Sequence, residues 1–440
     1  MPRCAHVPPS RDRSVRPRTA QVTRQWPLSL AVRACRVAVL AGLLACGGDG
    51  TTPIEPRPNP VPATPAPLAM TVLGRGDVVP QRITAELAVR GTTAYTTTTR
   101  NSAAAGSVFY IWDVSGNVPA LVDSVRVSFA TTLGDVAVSD DGALLTVATE
   151  RSGGSLLVYG LADPRRPTLL SRFTSANTAE GVHTAEIGRV NGRLYAFLSV
   201  DPSASLPARL VVVDLDTPTA PVEVLVRAIG RPFVHDTFVR DGLLYLALWD
   251  DGVAIWDIGG GGRGGSVSAP VELGRVQTVN GNVHNVWWLN DPVTGITRYA
   301  FIGEESESSF GAASSGDVHV VDVSTPSTPR EVAYYTVPGA GTHNFSVDEA
   351  NGILYAAYYN GGVRALDVRG DLGNCSAAQK SSPRGAGALC DLRLMGREIG
   401  VGLLDRPTSV YVWGVQYVDG SVYASDMLNG LWKLRALSRS

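Results

Sequence analysis

The architecture this sequence predicts is all-β: a seven-bladed β-propeller with four-stranded blades, closed by an N-terminal strand. Three observations lead to it. A unit of four short strand-forming runs recurs seven times, mostly about fifty residues apart, and unit repetition of this length and number is the signature of a propeller. The 47 Gly and 28 Pro supply the turns that so many short strands need. The seventh unit stops after its third run, near Ala436, while an unpaired run, Ala69–Gly74, precedes the first unit. That run completes the last blade and removes two exposed sheet edges. An open solenoid is the structural alternative.

The clearest unit shows why each run is a strand. Val234–Val239 leads to the turn Arg240-Asp241-Gly242, and Leu243–Trp249 leads to Asp250-Asp251-Gly252. Val253–Ile258 follows and then, after a loop, Pro270–Val276. Branched and aromatic runs separated by Asp-Gly turns form an antiparallel meander. Equivalent inner strands are expected at Ile83–Val89, Gly134–Val138, Val182–Ile187, Val283–Leu289, Thr342–Val347 and Trp413–Val418. Second strands carry a tyrosine at matching places: Tyr95, Tyr195, Tyr245, Tyr299, Tyr355 and Tyr423. Third strands are expected at Val108–Val114, Leu156–Leu161, Leu210–Leu215, Val253–Ile258, Val318–Val323, Val363–Val368 and Leu431–Leu434.

Within the third strands, Leu210-Val211-Val212-Val213-Asp214 resembles the motif for which LVIVD-repeat proteins are named. The signature continues downstream as an aspartate and two spaced prolines, from Asp322 to Pro329 and again from Asp214 to Pro221. The resemblance spans about residues 69–436, with repeats one, two and seven the most divergent. It implies a secreted or surface β-propeller lipoprotein and leaves the biochemical activity open.

Ahead of the repeats, residues 1–46 read as a signal peptide with a lipobox. Arginines crowd the first 36 residues, and the apolar run Val37–Ala45 is too short to span a bilayer. Leu43-Leu44-Ala45-Cys46 looks like a bacterial lipobox, which makes Cys46 the lipidated first residue of the mature chain. An ordinary signal peptide with an incidental cysteine is the alternative. Residues 47–68, with seven prolines, form an extended tether. Gly47, rather than Asp, after Cys46 fits outer-membrane sorting, so the expected location is extracytoplasmic, lipid-anchored to the cell envelope. Processing at Cys46 leaves Cys375 and Cys390, an even pair in an exported chain, expected to form a disulfide inside an insertion at 370–407.

Composition excludes some functions. With 44% hydrophobic and 18% charged residues the chain buries a large core, and a net charge of −2 argues against a nucleic-acid binder working through bulk positive charge. H-E-x-x-H, G-x-S-x-G and Walker A motifs do not occur. Gly259–Gly265 precedes no helix pattern and reads as a flexible connector. The acidic stretch Glu304–Ser309 reads as a solvated loop, with Ca²⁺ binding as the alternative.

One constellation carries candidate chemistry. His183, His235, His284 and His343 occupy the same position in repeats three to six, each opening an inner strand and each followed by a polar residue. The hairpins at that end of the blades carry Glu150, Asp250, Glu304, Glu305 and Asp426. Imidazole with carboxylate suits zinc, iron, copper or manganese, so a divalent metal is the cofactor this pattern admits. Two other readings stay open. A repeated histidine arises by copying and can serve blade structure, or it can contact a polar ligand. Consecutive blades line one side of a channel, roughly 150° of arc in a seven-bladed ring. The candidate ligand contacts are therefore the four histidines with Asp250 and Glu304, and Trp249, Trp287, Trp288 and Trp413 lie near them. The leading expectation is a binding or interaction scaffold with a protein, peptide or small-molecule partner and a membrane anchor. A metal-dependent enzyme using the histidine-lined channel end is the alternative.

Overall fold

A computed structural model describes residues 66–438, apart from segments at 78–81, 101–103, 152, 205, 231–233, 280, 291–296, 306–315, 386 and 404–408. The leader, Cys46 and the tether as far as residue 65 lie outside the described residues, as does most of the acidic stretch after Glu305. Seven antiparallel sheets follow one another along the chain, each ordered as a meander. Their inner strands are Ile83–Arg90, Leu133–Val138, Val182–Val190, Asp236–Arg240, Val283–Asn290, Phe345–Asp348 and Val412–Val418. Among the described residues no α-helix occurs, so none is long and apolar enough to cross a membrane.

The core is divided rather than central. Seven clusters of buried apolar side chains each join two neighbouring blades, from blades one and two to blades seven and one. One of them packs Phe301, Val318 and Tyr335 of blade five against Phe345, Leu354 and Leu366 of blade six. This explains why the second and third strands read as continuous apolar runs: both faces of each are covered.

The recurring tyrosines stitch these layers together. The Tyr95 hydroxyl donates to the carbonyl of Pro164 at 2.7 Å, in the loop after the third strand of the next blade. At equivalent places Tyr299 accepts from the Leu372 amide and Tyr355 from the Leu437 amide, both at 3.0 Å. The aspartate that ends the third strand also has a structural task. Asp113, Asp214, Asp322 and Asp367 each accept, through Oδ1, the amide two residues on, which turns the chain toward the outer strand. In blade four the same aspartate corrects the expectation of a flexible glycine connector. Asp257 accepts the amides of Gly259, Gly261, Arg263 and Gly265, so the glycine run wraps around a carboxylate of its own chain. Burial opposes the charge, but these four donors hold the Asp257 carboxyl down at about 2.

Ring closure follows the expected plan with a shift in register. Val72–Gly76, a little downstream of the expected Ala69–Gly74, pairs antiparallel with Gly430–Arg435 and completes blade seven. Leu68 and Ala69 instead pair parallel with Gly400 and Val401 at the edge of blade six. The insertion is likewise placed differently from a spacer between blades: Glu398–Gly402 inside it is the fourth strand of blade six. The preceding excursion carries the Cys375–Cys390 disulfide and lays Leu389–Asp391 parallel to the outer strand of blade five, covering that edge.

Removing residues up to Gly76 exposes the edge of Gly430–Arg435. The truncated protein is expected to unfold at lower temperature and to self-associate, as read by thermal unfolding and size-exclusion chromatography. A monomer with an unchanged midpoint would show that the ring does not depend on this strand.

Candidate functional site

Aligning the seven inner strands on their first turns places one residue per blade at the same end of the channel. These are Ala85, Gly134, His183, His235, His284, His343 and Trp413, followed by Glu86, Asp135, Thr184, Asp236, Asn285, Asn344 and Gly414. The first set holds the imidazoles, and in the second Glu86, Asp135, Thr184 and Asn344 bond to other blades. Asp135 accepts the Ala185 amide at 2.8 Å, and Thr184 donates to the carbonyl of His235 at 2.8 Å.

The four rings form a row. His183 Nε2 lies 2.9 Å from His235 Nε2, and the centroids of His235–His284 and His284–His343 are each 4.0 Å apart. Trp413 ends the row, 4.5 Å from His343, and Trp249 stacks on His235 at 5.2 Å. All four imidazoles line one channel cavity of about 750 Å³. They share a single wall and do not point into separate gaps between blades.

Carboxylates face them. Glu86, Asp135, Glu150, Glu186, Asp236 and Glu305 line the same cavity. His183 Nδ1 is 3.6 Å from Asp201, His284 Nε2 is 3.6 Å from Glu305 Oε2, and His343 Nδ1 is 3.9 Å from Glu86. The Trp413 indole N–H and the Asn344 side-chain amide both donate to Glu86 Oε1 at 2.6 Å. Glu150 enters through a gap left by glycine: a Cβ at Gly134 would stand 2.8 Å from its Oε1 and 2.3 Å from the His183 carbonyl oxygen.

Burial sets the protonation pattern. It drives His235, His284 and His343 well below the usual imidazole range, helped by their mutual repulsion. It works against a charged His183 as well, but Glu150 and Asp201 outweigh it and raise that residue. Burial also lifts the carboxylic acids, Asp236 and Glu305 to about 7 and Glu86 and Glu186 well above their ordinary value. Near neutral pH His235, His284 and His343 are therefore uncharged, each with one ring nitrogen that carries no proton, beside acids poised to ionise when a cation arrives.

Two expected contacts lie elsewhere. Asp250 is exposed on its hairpin turn, and the side chain that reaches His235 from that hairpin is its neighbour Trp249. Glu304 turns into blade five, where its Oε2 is 3.0 Å from His319 Nε2, and the next residue, Glu305, faces the channel. Glu305 and Trp249 hold equivalent hairpin positions, as does Tyr359, whose hydroxyl donates to Glu305 Oε1. Trp249 and Tyr359 both take left-handed backbone conformations, φ 54° and 38°. Such strain in bulky residues persists where surrounding structure imposes it, here paired backbone hydrogen bonds to Val283 and Val412. The sequence marks Asp236 as the polar residue after His235 but does not single out Glu86, Asp135 or Glu186; extending the histidine column to blades one and two is the signal that finds Glu86 and Asp135.

His319, outside that column, forms a second buried cluster. Its Nδ1 is 2.5 Å from Glu331 Oε1, and Glu304, Asp317 and His319 together offer ligand atoms within 4.8 Å of one another. Burial disfavours the imidazolium, but Glu304 and Glu331 push the value up to about 10. Both ring nitrogens of His319 thus face carboxylate oxygens in a buried ion-pair network. The folded value lies above the unfolded one, 6.5. Its stabilisation is therefore complete below that pH and is lost as pH rises toward 10. The denaturation midpoint is expected to fall across that window. His319→Gln should flatten the fall and lower stability at pH 7 by about 3–5 kcal/mol. An unchanged pH slope in the variant would refute the assignment.

Comparison with known proteins agrees with the architecture. The LVIVD repeat family matches residues 312–337, the segment that holds the third and fourth strands of blade five. No curated protein matches the sequence. Among solved structures, Sqt1 of Saccharomyces cerevisiae is similar, with a TM-score of 0.51 at 9% identity over 85% of this chain and 87% of that one. The C-terminal WD40 domain of Sif2 aligns with a TM-score of 0.48 at 11% identity, covering 84% and 86%. At these identities the likeness to Sqt1 is one of fold. The chain is a seven-bladed β-propeller whose fifth blade carries an LVIVD repeat.

Proposed function

We propose that the mature protein is a lipid-anchored, extracytoplasmic binding propeller that takes its ligand at the histidine-lined end of the channel. One observation carries the channel reading: four imidazoles from four successive blades share one cavity wall with six carboxylates. Structural histidines in a propeller would each be satisfied within their own blade interface. Here they meet each other, and the cavity beside them admits a small molecule or the protruding side chain of a partner. The surplus of acidic groups favours a ligand that brings positive charge and hydrogen-bond donors. Anchoring rests on the lipobox at Cys46 and the proline-rich tether behind it, which would hold the propeller off the membrane.

Two measurements test this. Cys46→Ser should move the protein from the membrane fraction to the soluble extracytoplasmic fraction; retention in membranes would remove the lipid anchor from the proposal. For the channel, thermal unfolding of the mature protein with agmatine, spermidine or divalent cations should show stabilisation by one of these classes. That stabilisation should shrink at least tenfold in apparent affinity in Asp236→Asn combined with Glu186→Gln. Equal stabilisation of the variant, or none in the native protein, would count against the channel as the ligand site.

A further inference from the structure

We propose that His235, His284 and Glu305 bind one divalent transition-metal ion, with its remaining coordination position open to the channel. The inference rests on the reading of this channel end as the ligand site and names the ligand's class.

The geometry is that of a ligand set. The three residues come from blades four and five, and each offers an atom within 4.8 Å of the others. All three are more than nine-tenths buried. Both ring nitrogens of His284 are buried without a hydrogen-bond partner among the described residues. A buried imidazole left so is costly, whereas a metal ion would use one of its lone pairs directly. Glu305 Oε2 stands 3.6 Å from His284 Nε2, too far for a hydrogen bond. Two ligands on a tetrahedral ion, at about 2.0–2.2 Å each, sit roughly 3.3–3.6 Å apart, so this pair already stands at the upper end of that spacing.

Supporting contacts orient the set. The Tyr359 hydroxyl holds Glu305 Oε1, which aims Oε2 toward His284. His183 bonds the ring of His235 at 2.9 Å, and Trp249 stacks on the other side of that ring. Such outer partners fix ring orientation and carboxylate geometry in metal sites. Trp249 and Tyr359, both with left-handed backbones, place their side chains on His235 and Glu305 respectively. Two nitrogens and one oxygen suit zinc, cobalt, manganese or iron more than calcium or magnesium. Three protein ligands beside a 750 Å³ cavity leave room for water or a further ligand, the pattern of an open rather than a closed structural site.

The test uses the mature protein, purified without a histidine tag and freed of metal by chelation. Isothermal titration with Zn²⁺ should give one site per chain, and Co²⁺ should give the absorption of a four- or five-coordinate N/O centre. His284→Ala and Glu305→Gln should each weaken Zn²⁺ binding at least a hundredfold. Tyr359→Phe, a positioning change, should weaken it about tenfold. Asp250→Asn, on its exposed hairpin turn outside the set, should leave affinity and stoichiometry intact. Circular dichroism and the unfolding midpoint report whether each variant is folded, and Glu305→Gln stands in if His284→Ala is not. Failure of Zn²⁺ and Co²⁺ to bind the folded native protein overturns the metal site, as does undiminished binding by folded Glu305→Gln. Stabilisation by an organic amine, if it persists in the metal-free protein, would then keep the channel reading while the metal reading falls.

Discussion

Everything in this molecule depends on packing between adjacent blades. Each four-stranded sheet has two apolar faces and no second layer of its own, so a blade alone would leave both exposed. Stacking seven of them in a ring covers every face with the next blade, and the seven buried clusters at those interfaces are the result. A ring allows no terminal blade, which is why the N-terminal strand must return to the last one. The tyrosine hydroxyls and the aspartate-capped loops serve the same interface. The first tie one blade to the loop of the next, and the second shape that loop so the tie can form. The LVIVD signature is therefore a description of packing and turning, independent of any ligand.

Packing also dictates where chemistry fits. Strand interiors are committed to the interfaces, so groups able to face a ligand sit at the strand ends around the channel. One column of the repeat supplies them, and its content divides the ring. Blades three to six give imidazoles and blade seven an indole, whereas blades one and two give only Ala85 and Gly134. The small residues are not idle space, because Glu150 occupies the room beside Gly134 and faces His183. The asymmetry puts bases and acids side by side within one cavity.

Much of this was legible in the sequence, for a physical reason in each case. Repetition revealed the blades because every unit obeys the same burial pattern, and the four histidines stood out because they repeat in register. The hairpin acids were harder. Glu304 and Glu305 are neighbours, and which one faces the channel depends on the parity of the strand before them; here Glu305 does, and Glu304 serves His319. At the equivalent hairpin an acid was expected from Asp250, but the chain turns one residue earlier and presents Trp249. Asp201 approaches His183 across the first hairpin of blade three, where strand register decides the contact, and the disulfide-bearing excursion reaches blade five from far along the chain, a contact composition cannot show. His319 was overlooked because its partners, Glu304 and Glu331, become neighbours only when three strands pair.

Hydrogen bonding divides a single ring of polar residues into two sets. Glu86 receives the Trp413 and Asn344 donors, and Asp135 receives the backbone of the next blade; these groups are satisfied and would resist removal. His284, Asn285 Oδ1 and Thr237 Oγ1 are as deeply buried, line the same cavity, and lack partners among the described residues. Each such group costs about 1–3 kcal/mol, and apolar replacements of similar size would avoid that cost if blade packing were their only purpose. Inheritance by repeat duplication accounts for one imidazole giving rise to four, but it does not account for their meeting in one row beside Glu305. Buried polar atoms without partners among the described residues occur in other blades too, among them Thr132 Oγ1, Ser199 Oγ and Trp288 Nε1, but in this row four successive residues of one repeat column meet each other beside Glu305.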